Sequence, residues 1–176
     1  MWRKKYSTLT RAARKIHSGH PVTKGMALYE CYDDFLTRHR ITPRTVLEIG
    51  TFEGESAKIF AEGLPSARIL TVDAEDRGIE FRHYPQLSFR QCNQTDVESL
   101  TAVVQEFFPN GVDLVIDDAS HIGQFSKSAF QAVFPFLNSG GAYFVEDWGT
   151  GYWRDWADGA AYTDDQPHQS GPGTTT

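Results

Sequence analysis

The sequence predicts an α/β protein with a doubly wound, mostly parallel sheet of about five strands and helices on both faces. Three observations predict it. Short apolar runs that suit buried strands alternate with amphipathic helical patterns along the chain. A turn containing two glycines joins the first strand to a helix, and several later strands end in acidic residues. Alternating strands and helices form right-handed βαβ units, which build a parallel sheet covered on both faces.

Length and charge set the frame for this fold. The chain has 176 residues, which suffice for one domain with a substantial core. Its net charge of −6 hides an asymmetry, because residues 1–24 carry seven Lys or Arg and no acid. Apolar residues at helical spacing, such as Leu9 and Ala13, predict that this basic stretch is a helix laid on an acidic body. A targeting segment or a partner surface are the alternatives.

Composition also bears on the compartment. No apolar run approaches the roughly 20 residues that span a bilayer, so we expect no membrane partner. Cys31 and Cys92 lie far apart without metal-like spacing, and we predict that both are buried in a reducing compartment. The sequence is therefore interpreted as that of a cytoplasmic protein.

A helical cap over residues 1–42 is predicted to precede the sheet. Its first helix ends at the Ser-Gly-His-Pro break of residues 18–21. A second helix over about residues 24–38 presents an apolar side formed by Met26, Tyr29, Tyr32, Phe35 and Leu36.

The sheet domain is predicted over residues 43–156. Its strands are assigned to the apolar runs at residues 45–49, 68–73, 87–90, 112–116 and 142–145. The helices between them are predicted over about residues 53–62, 97–108 and 124–137, where Asp96 N-caps the second. Residues 138–141 end the third helix. The polar segment at 157–176 is predicted to be a disordered tail.

The ends of the first two strands form a candidate binding site for a nucleotide-like ligand, because ligands of open parallel sheets bind outside the carboxyl ends of the strands. Glu48 and the turn from Gly50 to Gly54 end the first strand. Asp73, about twenty residues later, can accept hydrogen bonds from both hydroxyls of a ribose. Ordinary turn and helix-cap roles are the alternative. Phe52 would hinder a pyrophosphate, so a ligand without phosphates, such as S-adenosylmethionine, is favoured over a dinucleotide.

The ends of the fourth and fifth strands are acidic. If these strands are neighbours, Asp118, Glu146 and Asp147 can converge, and carboxylates in contact repel unless a cation bridges them. Oxygen ligands suit a hard ion such as Mg²⁺. His121 lies on the same loop and can act as a general base. The alternative is that these acids are solvated loop residues or caps. The remaining histidines are predicted to lie at the surface: His17, His20, His39, His83 and His168.

Several motifs resemble a known enzyme family. Residues 46–50 (Val-Leu-Glu-Ile-Gly) resemble the first motif of class I S-adenosylmethionine-dependent methyltransferases. Residues 113–121 (Asp-Leu-Val-Ile-Asp-Asp-Ala-Ser-His), followed by residues 140–147 (Gly-Gly-Ala-Tyr-Phe-Val-Glu-Asp), resemble antibiotic-pathway sugar O-methyltransferases. These are the macrocin and mycinamicin type, related to the cephalosporin-hydroxylase-like group. Residues 93–96 (Asn-Gln-Thr-Asp) resemble their adenine-side loop.

The resemblance implies a Rossmann-like fold and a Mg²⁺-assisted O-methyltransferase acting on a hydroxylated small molecule, a secondary-metabolite sugar being one candidate. It implies that Asp118, Glu146 and Asp147 are metal ligands and that His121 is the catalytic base. Asp117 could bind either S-adenosylmethionine, the methyl donor, or the metal ion. The residues implied to bind S-adenosylmethionine are Glu48, Gly50, Thr51, Gly54, Ser56, Asp73, Gln94, Thr95, Asp96 and Asp117.

One departure from the family keeps other functions open. The class I fold usually adds a C-terminal antiparallel hairpin, where this sequence becomes polar. We therefore expect that the hairpin is missing, that another chain supplies it, or that the chain is truncated, and an exposed sheet edge favours homo-oligomers. The alternatives are a non-catalytic methyltransferase-like binding domain or partner subunit, a nicotinamide-dependent enzyme, and a nucleic-acid methyltransferase. The acidic body argues against the last, so we expect no nucleic-acid partner.

Overall fold

Five parallel strands form one sheet in the computed structural model, which describes residues 8–17 and 24–152. The strands are β1 (Thr45–Ile49), β2 (Arg68–Asp73), β3 (Leu87–Gln91), β4 (Val112–Asp117) and β5 (Leu137–Val145). The helices are α1 (Thr8–Ile16), α2 (Met26–His39), α3 (Glu55–Gly63), α4 (Val97–Phe107) and α5 (Gly123–Val133). Short 3-10 turns span Phe134–Phe136 and Trp148–Tyr152.

The strand order places the ends of β1 and β4 side by side. The order is β3-β2-β1-β4-β5, and every neighbouring pair is parallel. The chain winds outward from β1 to β3 and then crosses back to β4 on the other side of β1. Ligands of such sheets bind at this reversal. The fourth and fifth strands are neighbours, which meets the condition for convergence of the acids that follow them.

Side chains of alternate residues in the central strands fill two separate cores, which confirms the doubly wound fold. Val46 and Leu114 pack with α1, α2 and α3 on one face of the sheet. Leu47 and Val115, the next residues along the same strands, pack with α4 and α5 on the other face. Successive side chains of a strand point to opposite faces, so burial of both sets requires helices on both sides.

The N-terminal helix α1 is attached to α2 by a buried carboxylate. The first amides of a helix lack partners within the helix. In α1, the amides of Leu9 and Thr10 donate to the Asp33 carboxylate of α2 at 3.1 and 2.7 Å. The Thr10 hydroxyl also donates to Asp33, at 2.7 Å. Leu9 and Ala13 are buried as predicted.

The transition from α5 to β5 differs from the prediction. The helix was expected to run to Leu137, but it ends at Val133 and a 3-10 turn follows. Pro135 lacks an amide hydrogen and its ring blocks a further α-helical turn. β5 then begins at Leu137, because a register shift against β4 incorporates the predicted loop into the strand. Asn138 Nδ2 donates to Asp113 Oδ1 of β4 at 2.8 Å and fixes that shift.

Two sequence predictions are wrong, the burial of Cys31 and the surface position of His17. Cys31 is exposed, whereas Cys92 is buried as predicted. The His17 side chain is only 6% exposed, because it packs beside Tyr29 and Glu55. The 18–21 break and the polar tail lie outside the described residues. Within those residues, no helix has the length and apolar character needed to cross a bilayer.

Candidate active site

An open cavity of about 350 Å³ lies at the carboxyl ends of β1 and β2, beside the loop that follows β4. Four of the predicted donor-binding residues line it: Gly50, Asp73, Gln94 and Thr95. Ala119 and Ser120 form part of the wall contributed by the β4 loop. Its size is in the range of small-molecule sites, which span about 300–1,000 Å³.

Gly50 permits the close contact between the ends of β1 and β4. Its φ of +102° is in the region that favours glycine. A Cβ atom at this position would lie 2.3 Å from the backbone oxygen of Asp118. Any side chain here would push the two loops apart, so glycine is required for the cavity wall to close.

Asp73 fixes the turn that follows β1. Its Oδ2 accepts hydrogen bonds from the backbone amides of Thr51 and Phe52, both at 2.9 Å. Its Oδ1 accepts the Glu75 amide at 3.0 Å. A carboxylate has about four lone-pair positions, and three are occupied here, so Asp73 keeps the capacity to accept about one ribose hydroxyl through Oδ1.

Glu48 lies in a polar network and does not line the cavity. It accepts hydrogen bonds from Ser56 Oγ at 2.5 Å and Thr71 Oγ1 at 2.8 Å. The Thr71 hydroxyl also pairs with that of Thr51 at 2.7 Å. Burial raises the pKa of Glu48 to about 7, although Lys24 and the two hydroxyls favour the charged form. Thr51 and Ser56, two predicted donor residues, therefore contact Glu48 and its network.

Gln94 lines the cavity, and its side-chain amide nitrogen is buried. Its side chain is buried, and its Oε1 accepts the Ser120 amide at 3.0 Å. Its Nε2 has no hydrogen-bond partner among the described residues. A buried donor left unpaired costs free energy, so a ligand that accepts this hydrogen bond would be favoured. A ring nitrogen of a nucleobase is such an acceptor.

The other residues of the predicted adenine-side loop are engaged locally. Thr95 donates from its amide and its hydroxyl to Asn93 Oδ1, both at 2.9 Å. Asp96 caps α4, as predicted, by accepting the Ser99 amide at 3.0 Å, and it also accepts the Ser99 hydroxyl at 2.7 Å. Both hydrogen bonds lower the pKa of Asp96. Its donor-binding role stays a prediction, as does that of Gly54, which does not line the cavity.

Asp118, His121 and Asp147 form a cluster beside the cavity. Each offers one possible ligand atom, and these atoms lie within 4.8 Å of one another. Asp118 Oδ1 is 3.8 Å from His121 Nε2. His121 and Asp147 have φ values of +56° and +49°, an uncommon conformation for residues other than glycine. Two carboxylates at one edge fit a Mg²⁺ ion, which takes few protein ligands and keeps several waters.

Glu146, the third predicted metal ligand, is engaged by a residue that the sequence analysis missed. Lys24 Nζ lies 2.6 Å from Glu146 Oε1 and 2.8 Å from Asp118 Oδ2. The Tyr32 hydroxyl donates to the same Glu146 oxygen. Burial raises the pKa of Glu146, and Lys24 opposes this. Burial lowers the pKa of Lys24, but the carboxylates outweigh it and the net pKa is raised.

Asp117 is the most deeply buried acid of the β4 end. Neither of its carboxylate oxygens has a well-formed hydrogen bond among the described residues, although Ser126 and the Ala119 amide lie near enough to favour the charged form. Burial dominates and raises the pKa of Asp117 to about 6. Asp117 does not line the cavity, and its role as donor or metal residue stays a prediction.

Comparison with known proteins identifies the family. The model of a family described as a methyltransferase domain matches residues 47–148, more than half of the chain. The chain belongs to this methyltransferase domain family. The match begins in β1 and ends just after the acids that follow β5, so it includes both the cavity and the acidic cluster.

The chain has curated relatives that are O-methyltransferases. It is 33% identical over 131 residues to mycinamicin VI 2''-O-methyltransferase of Micromonospora griseorubida, which covers 69% of this chain and 31% of the relative. It is 34% identical over 142 residues to a rhamnosyl-tetracenomycin 2'-O-methyltransferase of Streptomyces olivaceus, covering 76% and 36%. The chain thus spans about a third of the length of these curated relatives. The resemblance to the macrocin and mycinamicin type is confirmed.

A solved structure shows the same fold. MycE, a methyltransferase of the mycinamycin pathway solved in complex with Mg and SAH, superposes with a TM-score of 0.71 at 25% identity. The match covers 87% of this chain and 40% of MycE. The Rossmann-like methyltransferase fold predicted from the sequence is confirmed.

Proposed function

We propose that this chain is the donor-binding domain of an S-adenosylmethionine-dependent, Mg²⁺-assisted O-methyltransferase. Its acceptor is a small molecule with a hydroxyl group, and a secondary-metabolite sugar is the first class to screen. One observation carries the proposal. The loop after β4 serves the cavity and the acidic cluster together, since Ala119 and Ser120 line the cavity while Asp118 and His121 flank them.

The side chains that line the cavity suit S-adenosylmethionine, the methyl donor. Asp73 supplies a carboxylate oxygen for the ribose, and the unpaired Gln94 amide supplies a donor for the adenine. Gly50 keeps the wall free of a side chain where a Cβ would otherwise collide with the β4 loop. The complex of MycE with SAH supports the same ligand class for this chain.

The acidic cluster suits a divalent cation. Asp118 and Asp147 supply carboxylates, and Glu146 supplies a third once its present contacts are exchanged. The presence of Mg in the MycE complex supports this assignment.

Each residue of the site has its own role in the proposed methyl transfer. When bound, S-adenosylmethionine supplies an electrophilic methyl group and Mg²⁺ lowers the pKa of the acceptor hydroxyl. His121 would accept the proton of the acceptor hydroxyl, which would leave the acceptor oxygen as the nucleophile for the methyl group that the bound donor would supply. Asp73 and Gln94 hold the donor, so that positioning and charge stabilisation account for the rate.

Calorimetric titration of the metal-stripped protein tests this function. S-adenosylmethionine is titrated with and without Mg²⁺ into the wild type, Asp118→Ala and the control Asp34→Ala, an exposed residue on α2. We expect donor binding plus a separate Mg²⁺ heat that Asp118→Ala loses and Asp34→Ala keeps. An acceptor screen for methyl transfer follows.

The other outcomes point to other functions. Donor binding without any Mg²⁺ heat would favour a metal-independent or non-catalytic methyltransferase-like domain. Absence of donor binding would contradict the proposal. Tighter binding of a dinucleotide than of S-adenosylmethionine would favour a nicotinamide-dependent enzyme instead.

A further inference from the structure

Lys24 places a positive charge inside the acidic cluster. It lies two residues before the start of α2, and only 8% of the residue is exposed. Its ammonium group bridges the strand ends, at 2.6 Å from Glu146 Oε1 of the β5 end and 2.8 Å from Asp118 Oδ2 of the β4 end. A buried lysine bound to two acids is a cation with defined partners, unlike a lysine at the surface.

Lys24 binds one carboxylate oxygen on each of two residues that are proposed as metal ligands, Oδ2 of Asp118 and Oε1 of Glu146. In the proposed function, Asp118 and Glu146 are metal ligands. Mg²⁺ binds oxygen at about 2.0–2.1 Å, so its ligands must turn toward the ion. A carboxylate already paired with an ammonium group is less available to a metal, and two cations held at one carboxylate repel each other. Lys24 and a divalent ion therefore compete for Asp118 and Glu146.

The orientation of Glu146 supports this competition. Asp118, His121 and Asp147 present ligand atoms to one another, whereas Glu146 is absent from that group. Its Oε1 instead accepts hydrogen bonds from Lys24 and from the Tyr32 hydroxyl of α2. Both donors come from the N-terminal cap. The N-terminal cap thus holds Glu146 away from the acidic cluster of Asp118, His121 and Asp147.

We propose that Lys24 is a built-in cation that holds Asp118 and Glu146 when no metal is bound, and that a divalent ion must displace it. This inference rests on the proposed metal-assisted function. Metal loading then releases the segment at the start of α2, which couples the metal site to the N-terminal cap. Lys24 acts through the two acids and is a positioning residue.

Metal affinity tests the competition. Mg²⁺ is titrated calorimetrically into the metal-stripped wild type, Lys24→Met, and the control Lys127→Met, which removes an equal charge from an exposed site on α5. We expect Lys24→Met to bind Mg²⁺ about tenfold or more tightly than the wild type, because a competing cation is gone. The control should change affinity by less than about twofold, since exposed charges are screened. Equal or weaker binding by Lys24→Met would overturn the proposal.

Failure of this proposal and failure of the function are distinguishable. If the wild type binds Mg²⁺ but Lys24→Met binds it no more tightly, only the competition is refuted. If neither protein binds Mg²⁺, the metal-assisted function and this inference both fail.

Hydrogen exchange on the unmodified protein tests the displacement directly, including the case in which Lys24→Met does not fold. Backbone amides of residues 24–32 are followed with and without saturating Mg²⁺, and those of α4, on the opposite face of the sheet, are the internal control. We expect Mg²⁺ to accelerate exchange at residues 24–32 and to leave α4 unchanged. Unchanged or slower exchange at residues 24–32 would show that Lys24 stays in place and would refute the displacement.

Discussion

Glu48 is expected to set much of the pH dependence of stability. It is fully buried at the end of β1, and burial raises its pKa to about 7 from the reference value of 4.5. Lys24 and the hydroxyls of Ser56 and Thr71 oppose this effect without cancelling it. Glutamine has the same shape without the charge. Glu48→Gln therefore removes the ionisation, and the two hydroxyls can turn to serve the amide.

The sign and size of the effect follow from proton linkage. A carboxyl group whose pKa is higher in the folded protein binds more protons there between the two pKa values. Stability contributed by its protonated form is present below pH 4.5 and is lost as the pH rises through about 7. Between pH 5 and 8 the loss amounts to about 2.5 kcal/mol. Asp117 titrates in both proteins, so its contribution cancels in the comparison.

Urea unfolding at pH 5, 6, 7 and 8 measures the effect. The wild type is expected to lose about 2.5 kcal/mol more free energy of unfolding over this range than Glu48→Gln. Glu98→Gln, at an exposed site on α4, is the control and should follow the wild type. Parallel curves for the wild type and Glu48→Gln would refute the reasoning, even if the variant were uniformly less stable.

Two further predictions concern stability and donor binding. Asp33→Ala should lower the free energy of unfolding by about 2–4 kcal/mol, because it leaves two amides of α1 unpaired; chemical denaturation measures this, and a drop as small as that of the exposed neighbour Asp34→Ala would contradict it. Gly50→Ala should cost at least about 2 kcal/mol, because its Cβ would lie 2.3 Å from the Asp118 oxygen. It should also weaken S-adenosylmethionine binding in calorimetry. Gly25→Ala, where a Cβ meets nothing within 4 Å, is the matched control, and equal effects of the two changes would refute the steric argument.

Strand positions were predictable where burial on both faces produces a continuous apolar run. β1 and β2 have the predicted bounds, because helices cover both sides and the two strands are mostly apolar, with the buried Glu48 and Thr71 as polar exceptions that bond to each other. β5 was predicted only in part. Its first residues read as a turn because of Asn138 and two glycines, and the side-chain bond from Asn138 to Asp113 that holds them against β4 is a tertiary contact.

The same distinction applies to the site. The approach of Asp118 to Asp147 followed from the adjacency of two parallel strands, which the alternating pattern suggested. The partnership of Lys24 with Glu146 spans 122 positions in the sequence, and no local pattern reports it. The available signal was a lysine beside a helix whose aromatic side chains were predicted to be buried. His17 likewise gave no local sign that it packs against Tyr29.

The contacts of Glu146 bear on how such domains can be exchanged between proteins. The family match covers residues 47–148, yet Lys24 and Tyr32, which hold Glu146, come from before it. A chimera joined at residue 43 would graft the acids onto a foreign cap and leave them without their counter-charge. It would also replace α1 and α2, whose side chains pack against one face of the sheet. A chimera that keeps these contacts must therefore carry the N-terminal helices together with the sheet.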